Sequence, residues 1–399
     1  MAPARNESRD MTTALPVPAA PSPRDVHPAP ANGRAGLSFE RLRHLGPNWY
    51  ACVMGTAIVA NGAEALPVQV PGLHVFAVVV WMSSFALLIM VTAARAVHLV
   101  RYRDEARTDP STAVFYGCPP MALIAVGYGT LVLGPGVIGD TAAVWTDAVL
   151  WTAGTLYSLA VAFGVPYLMI SRPRTEADPT WLLPVVAPMV AAALGPALVP
   201  HLPAGEPRVL MVYACYAMFG GSLLATLMIL PGVWSRLTHD RTFTITLVPT
   251  LFLVLGPLGQ SVTAVNQLAD AAPAAAITPQ YADAMAAFAV LYGIPVIGFT
   301  LLWLAVAAAA SVRALRDGMP FAMTWWAYTF PLGTCVTGAS ALARRLELGA
   351  LTAIAAGLYV LLLGAWAIVA TRTLRGVITG QLLPAVTSGR PSRGSSRPS

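Results

Sequence analysis

Residues 320–338 read PFAMTWWAYTFPLGTCVTG. No residue in this stretch is charged, and it is apolar enough to enter a bilayer. Yet Phe330-Pro331 and Gly333 interrupt it in the middle. A proline inside a helix removes one backbone donor and frees the carbonyl four residues earlier, here that of Ala327. Hydrocarbon tolerates such a break only where neighbouring protein or a water-filled cavity satisfies the freed group. The stretch therefore reads as a helix that faces protein or a pore rather than lipid.

Composition extends this reading to the whole chain. Of 399 residues, 56% are hydrophobic and 11% charged, with mean hydropathy +0.66. A soluble domain carries about 25% charged residues, so the expectation is an all-α integral membrane protein. All 24 basic residues are arginine. They lie mostly in tails and loops, which argues against a nucleic-acid partner. Cys52, Cys118, Cys215 and Cys335 fall in separate apolar stretches without ligand or redox spacing, so neither metal nor disulfide is assigned. Buried free thiols are the expectation.

In chain order, residues 1–40 are proline-rich with mixed charge and are expected to form a disordered tail without a cleavable signal. A transport domain is expected over 41–380 and a second disordered tail over 381–399. Ten apolar spans fill the domain: 47–63, 73–100, 119–133, 143–170, 181–199, 209–233, 245–268, 282–312, 320–338 and 351–371. The odd spans are short and carry Pro or Gly inside; the even spans are longer. The odd spans recur every 60–75 residues or so, which gives five helical hairpins as an internal repeat. Interrupted spans in corresponding repeats point to a membrane transport site. With the N-terminus inside, the only arginines in outer loops are Arg208, Arg344 and Arg345. That is the positive-inside pattern for ten spans with both termini cytoplasmic.

The span interiors hold no Asp, Glu, His or Arg; Asp147, Asp283 and Arg95 lie near span ends. Acid–base or nucleophilic catalysis needs a titratable constellation in a pocket, so no enzyme and no cofactor is expected. Proton pumps use intramembrane acids or histidines; their absence favours passive conduction. Gln260, Ser261 and Asn266 are candidates for a polar vestibule, or for satisfying helix ends. Trp325-Trp326 faces either a substrate or the membrane interface. Arg344 and Arg345 are candidates for an outer mouth that attracts anions, or for an ordinary solvated helix end.

Four motifs in order, PNWYACVMGTAIVANGA (47–63), PTWLLPVVAP (179–188), LGPLGQS (255–261) and PFAMTWWAYTFPLGT (320–334), resemble the tellurite-resistance/dicarboxylate transporter family. That family includes malic acid and sulfite transporters and plant slow anion channels. The resemblance covers roughly residues 44–375. It implies five hairpins around a pseudo-fivefold pore with the odd helices inside, in a homotrimer with one pore per subunit. It implies Phe330 as the aromatic plug of the pore. More loosely it implies Gly55, Pro188, Gly256, Pro257 and Pro331 as positions that line or kink the pore. The implied function is a channel or facilitator for small anions in a bacterial inner membrane. C4-dicarboxylates such as malate come first, sulfite or tellurite efflux second, and a non-conducting sensor or scaffold last.

Overall fold

The computed structural model describes residues 45–101, 110–171, 177–239 and 244–382, all within one compact unit, Phe39–Ser399. The two tails and the middles of several arginine-bearing loops lie outside the described residues. Among the described residues ten long helices run in sequence: α1 (Tyr50–Ala65), α2 (Leu73–Arg101), α3 (Cys118–Leu133), α4 (Asp140–Ser171), α5 (Leu182–Leu194), α6 (Glu206–His239), α7 (Leu255–Ala271), α8 (Pro279–Arg316), α9 (Phe330–Leu346) and α10 (Gly349–Ile378). The described residues contain no strand. The chain is an all-α multi-pass membrane protein.

Each odd helix packs against the even helix that follows it. The odd helices also touch one another in a closed circuit: α1 with α3, α3 with α5, α5 with α7, α7 with α9, and α9 with α1. Burial separates the two sets. In its most apolar window, the segment that contains α5 is 94% buried, and those of α3 and α7 are 78% buried. The windows of α4, α6, α8 and α10 are only 28% buried, and Phe163, Met228 and Leu291 are among their exposed apolar side chains. An inner ring of five helices is thus wrapped by an outer ring that presents apolar side chains outward.

Among the described residues, eight segments are long and apolar enough to cross a membrane by length and composition. The helices α1, with 16 residues, and α9, with 17, fall short of that measure; a straight crossing takes about 20. Both belong to the inner ring, where protein rather than lipid surrounds them.

Every inner helix is entered through a 3-10 segment: Pro47–Trp49, Val114–Gly117, Pro179–Trp181, Ile245–Val254 and Met323–Tyr328. The proline break read at 330–331 is therefore a full junction between two helices. Pro331 sits in the first turn of α9, where its missing N–H is one of the unpaired donors anyway. Pro257 likewise stands in the first turn of α7, whereas Pro188 lies inside α5. Outer helices supply hydrogen bonds to the inner backbone, in one 3-10 entry at Leu251 and within α5 and α1 at Ala191 and Val59. Trp303 of α8 donates to the Leu251 carbonyl at 2.9 Å, Trp151 of α4 to that of Ala191 at 3.0 Å, and Tyr359 of α10 to that of Val59 at 3.2 Å. Satisfied polar backbone is what membrane burial demands.

Two inner helices meet at glycines. A Cβ on Gly259 of α7 would lie 2.5 Å from the Cys335 nitrogen, and one on Gly338 of α9 would lie 2.8 Å from the Gly259 carbonyl oxygen. Gly55 of α1 gives way in the same manner to Thr329 and the Trp326 ring. This is the small-residue packing that lets membrane helices approach closely.

Candidate pore at the centre of the inner ring

Three cavities are each lined by residues from all five hairpins. The first, about 120 Å³, is lined by Asn48, Phe115, Thr180, Thr250 and Thr324, one from each 3-10 entry. The next, about 20 Å³, is lined by Met54, Met121, Val186, Gly256 and Phe330. Each of these five follows its counterpart in the first set by six residues. The third, about 610 Å³, is lined by Asn61, Tyr128, Leu194, Gln260 and Thr337, further along the same helices. Three levels, each touched by all five units and the first two in matching register, define an axis through the ring.

The middle level is a constriction. A water needs about 10–15 Å³, so this space holds about one, against a wall of Met, Leu, Val and Phe side chains. Phe330 is its largest ring and is 3% exposed. Gly256 and Pro331 line the same space. A narrow apolar passage resists ions by dewetting, because an ion cannot keep its hydration shell there. Pro188, Pro257 and Gly55 are not among the lining residues of these three cavities.

The wide cavity is lined by polar and apolar side chains together and lies at the end of the ring that carries Arg344. The Arg344 guanidinium lines it and donates to the Ala65 carbonyl. Its neighbour Arg345 is turned elsewhere. It donates to the Asn266 side chain at 2.6 Å and pairs with Asp270 at 2.5 Å. Arg208 is likewise committed, to the carbonyls of Leu202, Ala274 and Pro200. Of the three arginines assigned to outer loops, Arg344 alone lines the cavity. At its rim, Glu64 and His74 form a partly exposed pair at 3.1 Å.

Of the polar candidates, Gln260 lines the wide cavity. Ser261 accepts a bond from Tyr292 of α8 at 2.8 Å, and Asn266 is held by Arg345. Trp325 and Trp326 are buried; their indole N–H groups donate to the Pro320 carbonyl and the Thr373 hydroxyl. Asn61, Thr263 and Thr337 also line the cavity; Asn61 and Thr337 fall within the stretches 47–63 and 320–338, but neither is singled out there. The entry residues Asn48 and Thr180 do have a signal, the shared triplets PNW and PTW.

Asp147 differs from expectation. It stands two turns into α4 rather than at a span end, is 1% exposed, and neither carboxylate oxygen has a partner. Its space is made by Gly127 of α3, where a Cβ would lie 2.7 Å from Oδ1.

A model of voltage-dependent anion channels matches residues 44–374, all five hairpins. The chain belongs to the voltage-dependent anion channel family. Among its relatives, a sulfite efflux pump from Arthroderma otae is 26% identical over 336 residues, which is 81% of this chain and 88% of the pump. A sulfite efflux pump from Trichophyton rubrum is also 26% identical, over 76% of this chain and 83% of its own. An uncharacterized transporter from Methanocaldococcus jannaschii is 26% identical over 86% and 96% respectively. The resemblance drawn from the four motifs is borne out at family level. The chain is a membrane protein of an anion-transporting family.

Proposed function

We propose that this channel-family protein passes small oxyanions along the ring axis, with sulfite as the first substrate and efflux as its direction. The observation that carries the reading is the aligned set of three cavities, each lined from all five hairpins. The names of the fungal relatives support sulfite over malate. So does the constriction, since a compact anion needs less widening of a passage near 20 Å³ than a C4-dicarboxylate does. Phe330 is the plug, with Met54 and Met121 as its apolar surround. Arg344 draws anions to the wide mouth. The protein sits in a bacterial inner membrane with both termini cytoplasmic, as the arginine distribution suggests.

The test is a flux panel in liposomes carrying purified protein, with sulfite, malate, tellurite and nitrate at equal concentration. Sulfite is expected to move faster than malate. Malate faster than sulfite would return the dicarboxylate reading, and no movement of any anion would leave a non-conducting sensor. Three copies, each with its own path, form the proposed assembly. Mass measurement in mild detergent should give three chains, and a conducting single chain would remove that part.

A further inference from the structure

Arg95 stands inside α2, six residues before its end at Arg101, and is 7% exposed. Its guanidinium donates to the Leu45 carbonyl at 2.8 Å and to the Tyr116 hydroxyl at 3.2 Å. One partner is a backbone carbonyl and the other a phenol, and no carboxylate among the described residues forms an ion pair with it. Arginine stays charged in a protein interior, and burying a cation without a counter-charge is costly. Tying two segments together does not need that cost, since a neutral donor could bridge the same two oxygens. Ionisable residues kept at such a depth mark ion and substrate pathways.

The two partners locate the charge. Leu45 leads into the 3-10 entry of α1, three residues before Asn48, and Tyr116 belongs to the entry of α3, next to Phe115. Asn48 and Phe115 line the cavity of about 120 Å³ at the end of the path opposite Arg344. Arg95 thus sits behind the wall of that cavity, not in it. In this low-dielectric setting its field reaches the cavity with little screening. Among the described residues, the charges beside the other entries do not cancel it. Asp178, at the entry of α5, pairs with Arg236 at 3.9 Å, and Arg372 of α10 lies over the Trp325 ring at 4.8 Å. His98 follows Arg95 by three residues on α2 and is also buried. We infer that Arg95 sets the positive potential of the entry cavity and so its preference for anions. This rests on the anion-transport reading above and gives the path a second cation, buried where Arg344 at the other mouth is exposed.

The experiment reads that potential directly. In a chain whose four cysteines are replaced by alanine, Ala51→Cys places one thiol in the entry cavity. Two methanethiosulfonate reagents of similar size react with it, one carrying a sulfonate and the other a trimethylammonium group. The ratio of their rates, divided by the same ratio for a free thiol in solution, reports the local potential and cancels differences in access. With Arg95 in place the anionic reagent should be favoured about tenfold, the low end of what a focused cleft potential produces. Arg95→Gln should bring the ratio down toward the free-thiol value. Arg95→Lys, which keeps the charge and loses the two-pronged hold, should retain it. A free-thiol ratio in the chain that keeps Arg95 overturns the inference, and that measurement needs no Arg95 variant to fold. An unchanged ratio in Arg95→Gln overturns it too. So does an Arg95→Lys ratio as low as that of Arg95→Gln, which would make the residue a tie between two entries. Nitrate flux through the same chains in liposomes should fall with the ratio. Absence of flux for every anion, with the ratio as expected, removes the transport reading and leaves the potential in place.

Discussion

Phe330→Ala raises sulfite flux through liposome-embedded protein by tenfold or more. The argument is steric and dielectric together. The middle cavity is about 20 Å³ and its wall is apolar. Removing the phenyl ring adds its volume to that space, so a continuous water column can form and carry a hydrated ion. Each tenfold in rate corresponds to about 1.4 kcal/mol of barrier, a small part of what a dry constriction imposes on an ion. The ring is also packed, and truncating a buried Phe costs about 3–5 kcal/mol of stability. Flux must therefore be normalised to folded protein. Met54→Ala, at the matching position of the first hairpin, should raise flux by less, because it removes a thinner and more flexible side chain. Equal or lower flux from well-folded Phe330→Ala protein would show that the ring is packing and not a plug.

The second large effect is on the ring itself. Gly259→Ala should sharply lower the yield of folded protein and lower the apparent melting temperature of what remains. The added Cβ would meet the backbone of Thr334 and Cys335, with distances of 2.5 to 2.7 Å. Backbone cannot rotate out of the way as a side-chain tip does, so α7 and α9 must separate. Overpacking of this sort costs about 1–3 kcal/mol or more. The separation also opens the circuit between two of the five inner helices, so selectivity should fall with stability. Gly357→Ala on α10 is the control, since a Cβ there meets nothing within 4 Å and helix propensity favours Ala. A Gly259→Ala protein that melts with the natural chain would contradict the close crossing.

The two-ring plan was legible because it rests on hydropathy and punctuation. Short spans with Pro and Gly inside cannot face lipid, and long unbroken ones can; burial in the structure divides along that line. The nature of the breaks was less legible. Pro331 was read as a kink within one helix, but a proline is tolerated equally well in the first turn of a new one, and local sequence does not separate the two. The vestibule split for a similar reason. Arg344 and Arg345 are adjacent, and successive helical residues point about 100° apart, so one lines the cavity while the other clamps Asn266 and Asp270. Asp147 was misjudged because distance along a span says nothing of direction. Its carboxylate is buried only because α3 offers a glycine opposite it. Asn61 was hidden for the same cause, as one polar residue in a short apolar helix gains meaning only when four other helices share its level.

The central claim is that anions travel inside the inner ring. It is tested most directly by site-directed block. In a chain whose four cysteines are replaced by alanine, single cysteines are introduced at Thr337 in the wide cavity, at Ala51 in the cavity lined by the 3-10 entries, and at Val306 on the exposed face of α8. Each is treated with a bulky charged thiol reagent while sulfite flux is followed. Modification at Thr337→Cys from one side of the membrane and at Ala51→Cys from the other should stop flux, and modification at Val306→Cys should leave it. Flux that survives at both ring positions, with confirmed modification, would contradict the account.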